Sequence, residues 1–315
     1  DRNTLKVYDR VVSIDAVEKN GSTSPYGTIV ALSESPIDSN LIAIGTDDGL
    51  IQITEDGGKN WRKIDNISGA PDQSYVNSVY LSQHDSNLMY VAFNHHKYGD
   101  FKPYVFKSED KGNSWKSISN NLPERGSVYS IEEDHVDKDL IFCGTEFGVF
   151  FSPNKGDRWK ELGNGLPTIA VRDIAIQKRE NDLVLGTFGR GFYVMDDYSA
   201  LRNIENSDIS TKAEIFPIRN ALMWEKALPL GLPGKAFQGD QFYSADNLDP
   251  VAIVSYYYSD SYKSIKDKRQ KKEKEQIKSE EDAPYPSYDD LYAEVNEQKP
   301  SLIFTIKNAS GKVVK

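Results

Sequence analysis

One cysteine in 315 residues, Cys143, excludes an internal disulfide framework. Its neighbours, Leu140-Ile141-Phe142 before and Gly144-Thr145 after, read as a strand, so a buried inert thiol is expected rather than a nucleophile. No run of about 18 apolar residues occurs, and no helical membrane span is expected. Positive charge is also short: a net charge of -10 argues against general affinity for nucleic acid, which needs surplus Lys and Arg. The four histidines, His84, His95, His96 and His135, form no His-Glu-x-x-His, and no metal site is predicted. Gly-x-Ser-x-Gly is absent. The run Gly186-x-x-Gly189-x-Gly191 joins strands rather than opening a helix, so no dinucleotide or other cofactor is expected. The opening, Asp1-Arg2-Asn3-Thr4-Leu5-Lys6, carries neither an initiator Met nor a signal peptide's basic and apolar regions. It reads as a processed or excised piece whose address lay upstream.

What the chain does have is one octapeptide written three times. It runs from Thr54 to Trp61, from Ser108 to Trp115 and from Ser152 to Trp159. The pattern is Ser/Thr-x-Asp-x-Gly-x-x-Trp, carried by Thr54, Asp56, Gly58 and Trp61, by Ser108, Asp110, Gly112 and Trp115, and by Ser152, Asn154, Gly156 and Trp159. The carboxylate or amide oxygen can accept its own turn's backbone N–H groups. The glycine takes a conformation that side chains resist, and the tryptophan buries a large ring with one N–H to place. The octapeptide resembles the Asp-box, or bacterial neuraminidase (BNR) repeat, of β-propellers, where it is a structural turn.

Each copy sits in the same grammar of short apolar strands bounded by Gly and Asp turns. The first unit reads Gly27 to Leu32, Leu41 to Thr46, Leu50 to Ile53 and Trp61 to Ile64. A fourth unit, Val171 to Ile176, Leu183 to Thr187 and Phe192 to Met195, lacks the octapeptide. Gly-Thr recurs at the end of the second strand, as Gly45-Thr46, Gly144-Thr145 and Gly186-Thr187. Repeats of roughly 40 to 50 residues point to propeller blades. The expected fold is all-β: residues 1–25 connect from a preceding blade, and blades span 26–75, 76–126, 127–168 and 169–227. Four blades would make a small ring, so further blades, from upstream sequence or another chain, are expected to complete it.

After Met195 the grammar changes. Asp196 or Asp197 is expected to cap a short helical turn around Tyr198, and Ala213 to Ile218 reads as a strand, the outer one of the last blade. Residues 228–250 form a Pro/Gly-rich linker. Residues 251–315 then read as a partial immunoglobulin-like β-sandwich, with strands over Val251–Tyr258 and Ser301–Lys307 and a hairpin turn at Asn308-Ala309-Ser310-Gly311. Its charged insert, 263–297, is expected to hold two solvated helices.

The order of these pieces resembles a family of large, mostly exported bacterial proteins with sortilin-like Asp-box propellers, often labelled glycosyl hydrolases. Tyr26-Gly27-Thr28-Ile29, Gly45-Thr46-Asp47-Asp48-Gly49, Gly144-Thr145-Glu146-Phe147-Gly148 and Gly186-Thr187-Phe188-Gly189-Arg190-Gly191 carry the likeness. It implies the last blades of an exported propeller, extracellular, on the cell surface or periplasmic, and the start of an immunoglobulin-like domain. The hydrolase label rests largely on the octapeptide and implies little about catalysis.

Propeller ligands commonly gather on the face bearing the turns between second and third strands. Here that face would present Asp47, Asp48 and Glu146 as candidate acid/base carboxylates for glycoside hydrolysis, with His95, His96, Tyr98, Phe147 and Arg190 as candidate ligand contacts. Asp-Asp-Gly and Glu-Phe-Gly are equally ordinary hairpin-turn compositions. The favoured reading is a binding or scaffold module for a protein or glycan ligand. A glycoside hydrolase with carboxylates partly on other blades, and a structural spacer or assembly factor, are the alternatives.

Overall fold

Period-two apolar runs that end at Gly or Asp turns make short strands, and here they make four successive antiparallel sheets. The computed structural model describes residues 6–7, 9–11, 27–204, 213–221, 223–225, 249–258 and 262–315. A two-strand hairpin, β1 (Lys6–Val7) and β2 (Arg10–Val11), precedes them. Blade 1 is β3 (Ile29–Glu34), β4 (Ile42–Thr46), β5 (Ile51–Thr54) and β6 (Arg62–Ile64). Blade 2 is β7 (Tyr75–Leu81), β8 (Met89–His95), β9 (Asp100–Ser108) and β10 (Lys116–Ser117). Blade 3 is β11 (Val128–Glu133), β12 (Ile141–Thr145), β13 (Gly148–Ser152) and β14 (Lys160–Glu161). Blade 4 has three strands among the described residues, β15 (Val171–Gln177), β16 (Asp182–Thr187) and β17 (Phe192–Met195). The arrangement is that of β-propeller blades.

The apolar core lies between the blades. Successive side chains of a strand point to opposite faces, so on β8 Met89, Val91 and Phe93 pack toward blade 1, whereas Tyr90 and Ala92 pack toward blade 3. A third cluster joins Phe142, Val149 and Phe151 of blade 3 to Val171, Leu183 and Leu185 of blade 4. Each blade therefore depends on its neighbours. Cys143 is fully buried in the second cluster, where loss of solvation pushes its thiol pKa up.

The three octapeptide turns share one hydrogen-bonding scheme. The hydroxyl of Thr54, Ser108 or Ser152 donates to the third residue's oxygen at 2.7–2.8 Å and accepts the N–H of the glycine. The same oxygen of Asp56, Asp110 or Asn154 accepts the backbone N–H four residues on. A second recurring turn, which the pattern of strands does not reveal, joins strands one and two. Ser35, Ser82 and Asp134 each accept two backbone N–H groups within three residues, and Asp38, Asp85 and Asp137 each accept one more. The two turns are tied together: Gly57, Lys111 and Lys155 donate their N–H groups to the carbonyls of Asn40, Asn87 and Asp139.

The two ends of the blade series differ from its middle. Leu32 on blade 1 is 68 % exposed and Phe192 on blade 4 is 79 % exposed. Trp61 is 40 % exposed, whereas its counterpart Trp159 is 2 % exposed.

The chain divides into two units, 1–210 with 216–255 and 211–215 with 256–315. The second departs from expectation. The strand over 213–218 shortens to β18 (Ala213–Ile215), which pairs with β19 (Tyr256–Tyr258) and not with blade 4. Only Tyr256–Tyr258 of the expected 251–258 strand forms, and Ser301–Lys307 is reduced to one bridge, Lys307 to Val313, closed by the expected turn at Asn308 to Gly311. The two helices appear as α1 (Ile265–Lys278) and α2 (Tyr288–Val295), each opened by a capping box, at Ser264/Asp267 and Ser287/Asp290. Arg269 of α1 binds Glu294 of α2. Asp197 accepts the N–H of Ser199 and caps the 3₁₀ turn Tyr198–Asn203. Most of 1–25 and of the 228–250 linker lies outside the described residues.

Candidate functional site

Every innermost strand slips register at the same place. The pairing of β3 with β4 skips Val30, β7 with β8 skips Asn77, β11 with β12 skips Tyr129, and β15 with β16 skips Arg172. A bulge re-aims one side chain out of the ladder. Three of the four bulged residues, Asn77, Tyr129 and Arg172, line a single cleft of about 530 Å³, together with Tyr75, Asn94, His96, Phe101 and Glu146.

An amide relay crosses this cleft, and its polarity is fixed at one end. The carbonyl of Val128 can only accept, so Asn77 Nδ2 donates to it at 2.6 Å. Asn77 Oδ1 must then accept from Asn94 Nδ2, leaving Asn94 Oδ1 to accept from His96 Nδ1. His96 Nδ1 therefore carries a proton, and in the neutral ring Nε2 is the acceptor.

Cations lie on rings around the cleft. The Arg172 guanidinium sits 3.7 Å from the Tyr129 ring centre and 5.3 Å from that of Phe188. Lys97 stands 5.6 Å over Tyr75, and Arg125 5.8 Å over Phe101. Burial raises the pKa of Tyr129, partly offset by Arg172, and burial with the nearby Asp47 charge raises that of Tyr75.

Of the residues singled out in the sequence, Glu146 and His96 line this cleft. Asp47 and Asp48 are buried: Asp47 Oδ1 accepts the N–H of Thr28, just before β3, at 2.8 Å, and Asp48 accepts the Thr46 hydroxyl within its own turn. His95 Nδ1 meets Ser74 Oγ at 3.1 Å, its ring stacks on Tyr98 at 4.4 Å, and burial lowers its pKa. Tyr98 donates its hydroxyl to Gln73 Oε1. Phe147 and Arg190 are exposed and do not line the cleft. Tyr75, Asn77, Asn94, Phe101, Tyr129 and Arg172 escape a reading by turns, because a polar residue in a half-buried strand looks like an ordinary outward position. The available signal is positional: each bulged residue follows the first β-branched residue of its inner strand, as in Val76-Asn77, Val128-Tyr129 and Val171-Arg172.

Among the described residues no group of three His, Cys, Asp or Glu could hold a metal ion, and no helix is long and apolar enough to cross a membrane. No protein-family model matches the chain, and neither does any curated protein. Solved structures do. An ancestral GH74 enzyme matches with 22% identity over 51% of this chain and 22% of its own, at a TM-score of 0.43. The GH74 enzyme of Niastella koreensis matches with 11% identity over 56% of this chain and 30% of its own, at 0.46. YCF48 bound to D1 peptide matches with 17% identity over 62% of this chain and 61% of its own, at 0.41. The chain thus spans 22% and 30% of the two GH74 enzymes. Likeness at this level concerns the fold alone.

Proposed function

We propose that this chain is a ligand-binding and scaffold module of an exported β-propeller protein, its octapeptide turns being Asp-boxes of the sortilin-like kind. The observation that carries the binding reading is the convergence of three equivalent bulges on one cleft. The bulge recurs in all four blades, and in three of them the side chain it re-aims lines the same cleft. The scaffold reading is supported by the exposed apolar side chains at both ends of the blade series, which further blades of the same repeat would cover. Hydrolysis by the usual carboxylate pair needs a second acid facing Glu146. Asp47 is engaged by the N–H of Thr28 and Asp48 by the Thr46 hydroxyl, and neither lines the cleft, so binding is preferred.

The test is a titration of the full chain with panels of oligosaccharides and peptides, followed by backbone amide shifts. Shifts clustered at Asn77, Tyr129 and Arg172, abolished in Tyr129→Ala at unchanged unfolding midpoint, are the expected result. Ligands whose binding ignores both Tyr129→Ala and Asn77→Ala would overturn it.

A further inference from the structure

We infer that the cleft takes an acidic glycan, a polymer of carboxylate-bearing sugars; this rests on the binding reading above and names its ligand class. The chain carries a net charge of -10, yet this mouth collects Lys97, Arg125 and Arg172, each over an aromatic ring. Neither Arg125 nor Arg172 has a carboxylate partner among the described residues. Elsewhere the same chain pairs its arginines with acids, as at Arg202, Arg219 and Arg269. A guanidinium anchored beside a ring, as Arg172 is 3.7 Å from the centre of Tyr129, brings to the cleft a fork of N–H donors that suits bidentate capture of a carboxylate.

The remaining groups favour sugar over peptide. The lining has no aliphatic side chain to anchor an apolar peptide residue. It offers ring faces for pyranose C–H surfaces, and Glu146 and the Nε2 of His96 as acceptors for sugar hydroxyls. Phe101 also borders a second hollow of about 690 Å³, lined by Lys102 and Arg125 and, opposing them, by Asp100 and Glu124. Two adjoining hollows sharing one ring, with a cation at each, fit successive uronate units of a chain.

The experiment is isothermal titration of the full chain with oligogalacturonate, oligoguluronate and the methyl-esterified form of the first, plus a polyglutamate peptide. Binding of an oligouronate, weakened about tenfold or more by esterification or by Arg172→Ala and only in part by Arg172→Lys, is expected. Arg172 is exposed, so the unfolding midpoint of the variants should match the parent. Equal affinity for the esterified form, with sensitivity to Tyr129→Ala kept, would overturn the acidic class and leave the binding reading standing. Tighter binding of polyglutamate than of any uronate would overturn the glycan class. Binding that ignores both Arg172→Ala and Tyr129→Ala would sink the cleft itself, and the binding reading with it.

Discussion

Trp159 reaches across a blade boundary: its indole N–H donates to the backbone carbonyl of Ile118, in the preceding blade, at 2.7 Å. Trp61 and Trp115 hold the same place in their octapeptides but donate to Gly58 and Gly112 of their own turns. One sequence element therefore makes three different energetic contributions, graded by what the neighbouring blade provides. Trp159→Ala removes a fully enclosed ring and should cost about 3–5 kcal/mol. Trp61→Ala should cost less than about 1 kcal/mol, as exposed substitutions do. Trp115, half-buried against blade 1, should fall between them. Urea unfolding midpoints of the three variants check the order, and equal losses would contradict the graded burial.

Asp134 and Arg202 tie blade 4 to blade 3. The carboxylate accepts Arg202 Nε and Nη2, both at 2.8 Å, and the Tyr198 hydroxyl. Its side chain is fully buried, and the arginine with Tyr198 holds its carboxyl below the ordinary range despite that burial. Arg202→Ala leaves a buried charge short of its partner, at a cost of about 3 kcal/mol or more. Replacing Asp134 by Asn in that background should recover part of the loss in thermal unfolding; a further drop would contradict the ion-pair account.

Glu132 is held back from ionising by burial, with its carboxyl pKa pushed up to about 7 against the opposing pull of Lys178. Burial also raises Glu133. A carboxyl whose folded pKa lies above its unfolded one contributes stability that is complete below the unfolded value, 4.5, and is lost as pH rises through about 7. His95 and His135, lowered by burial, act in the opposite sense on acidification, so the difference between variant and parent is the quantity to measure. Glu132→Gln should be nearly neutral at pH 4.5 and stabilising at pH 8 in urea titrations. A difference independent of pH would mean that Glu132 ionises normally. Asp56 and Asp110, lowered to about 2 mainly by N–H and side-chain donors of their own turns, add stability that disappears only as pH falls from 3.8 toward 2.

How much of this was legible follows from range. The octapeptides and strand runs are local, and they form successive antiparallel sheets in a blade arrangement because turn chemistry and period-two burial act within about ten residues. The strand at 213–215 pairs with Tyr256–Tyr258, far along the chain, rather than with blade 4, and no local pattern encodes such a pairing. The cleft failed to announce itself for a related reason. Arg172, Tyr129 and Asn77 come together only through the stacking of separate blades, and their bulges leave no composition signature. Asp47 and Asp48, conspicuous in the sequence, serve the blade itself: Asp48 accepts within the turn, and Asp47 ties the turn to the start of β3.

The recurring Gly-Thr pair links this packing to the cleft. A Cβ on Gly45 would lie 2.3 Å from Val76 Cγ1, and one on Gly144 would lie 2.6 Å from the backbone oxygen of Val171. Val76 and Val171 are the residues just before the bulges at Asn77 and Arg172. Gly186, at the same place in blade 4, would meet nothing nearer than Asp173 Cβ at 3.4 Å, an ordinary contact. Gly45→Ala and Gly144→Ala should therefore cost about 1–3 kcal/mol by overpacking, whereas Gly186→Ala should be neutral or stabilising by up to about 1 kcal/mol. The same displacement gives a second readout. Because Gly144 backs directly onto the strand that carries Arg172, Gly144→Ala should weaken ligand binding at the cleft, while Gly186→Ala should leave it unchanged. Equal stability losses at all three glycines would show that a blade also packs beyond Gly186 in solution. Unaltered binding in a folded Gly144→Ala variant would show that the contact between Gly144 and Val171 does not position Arg172.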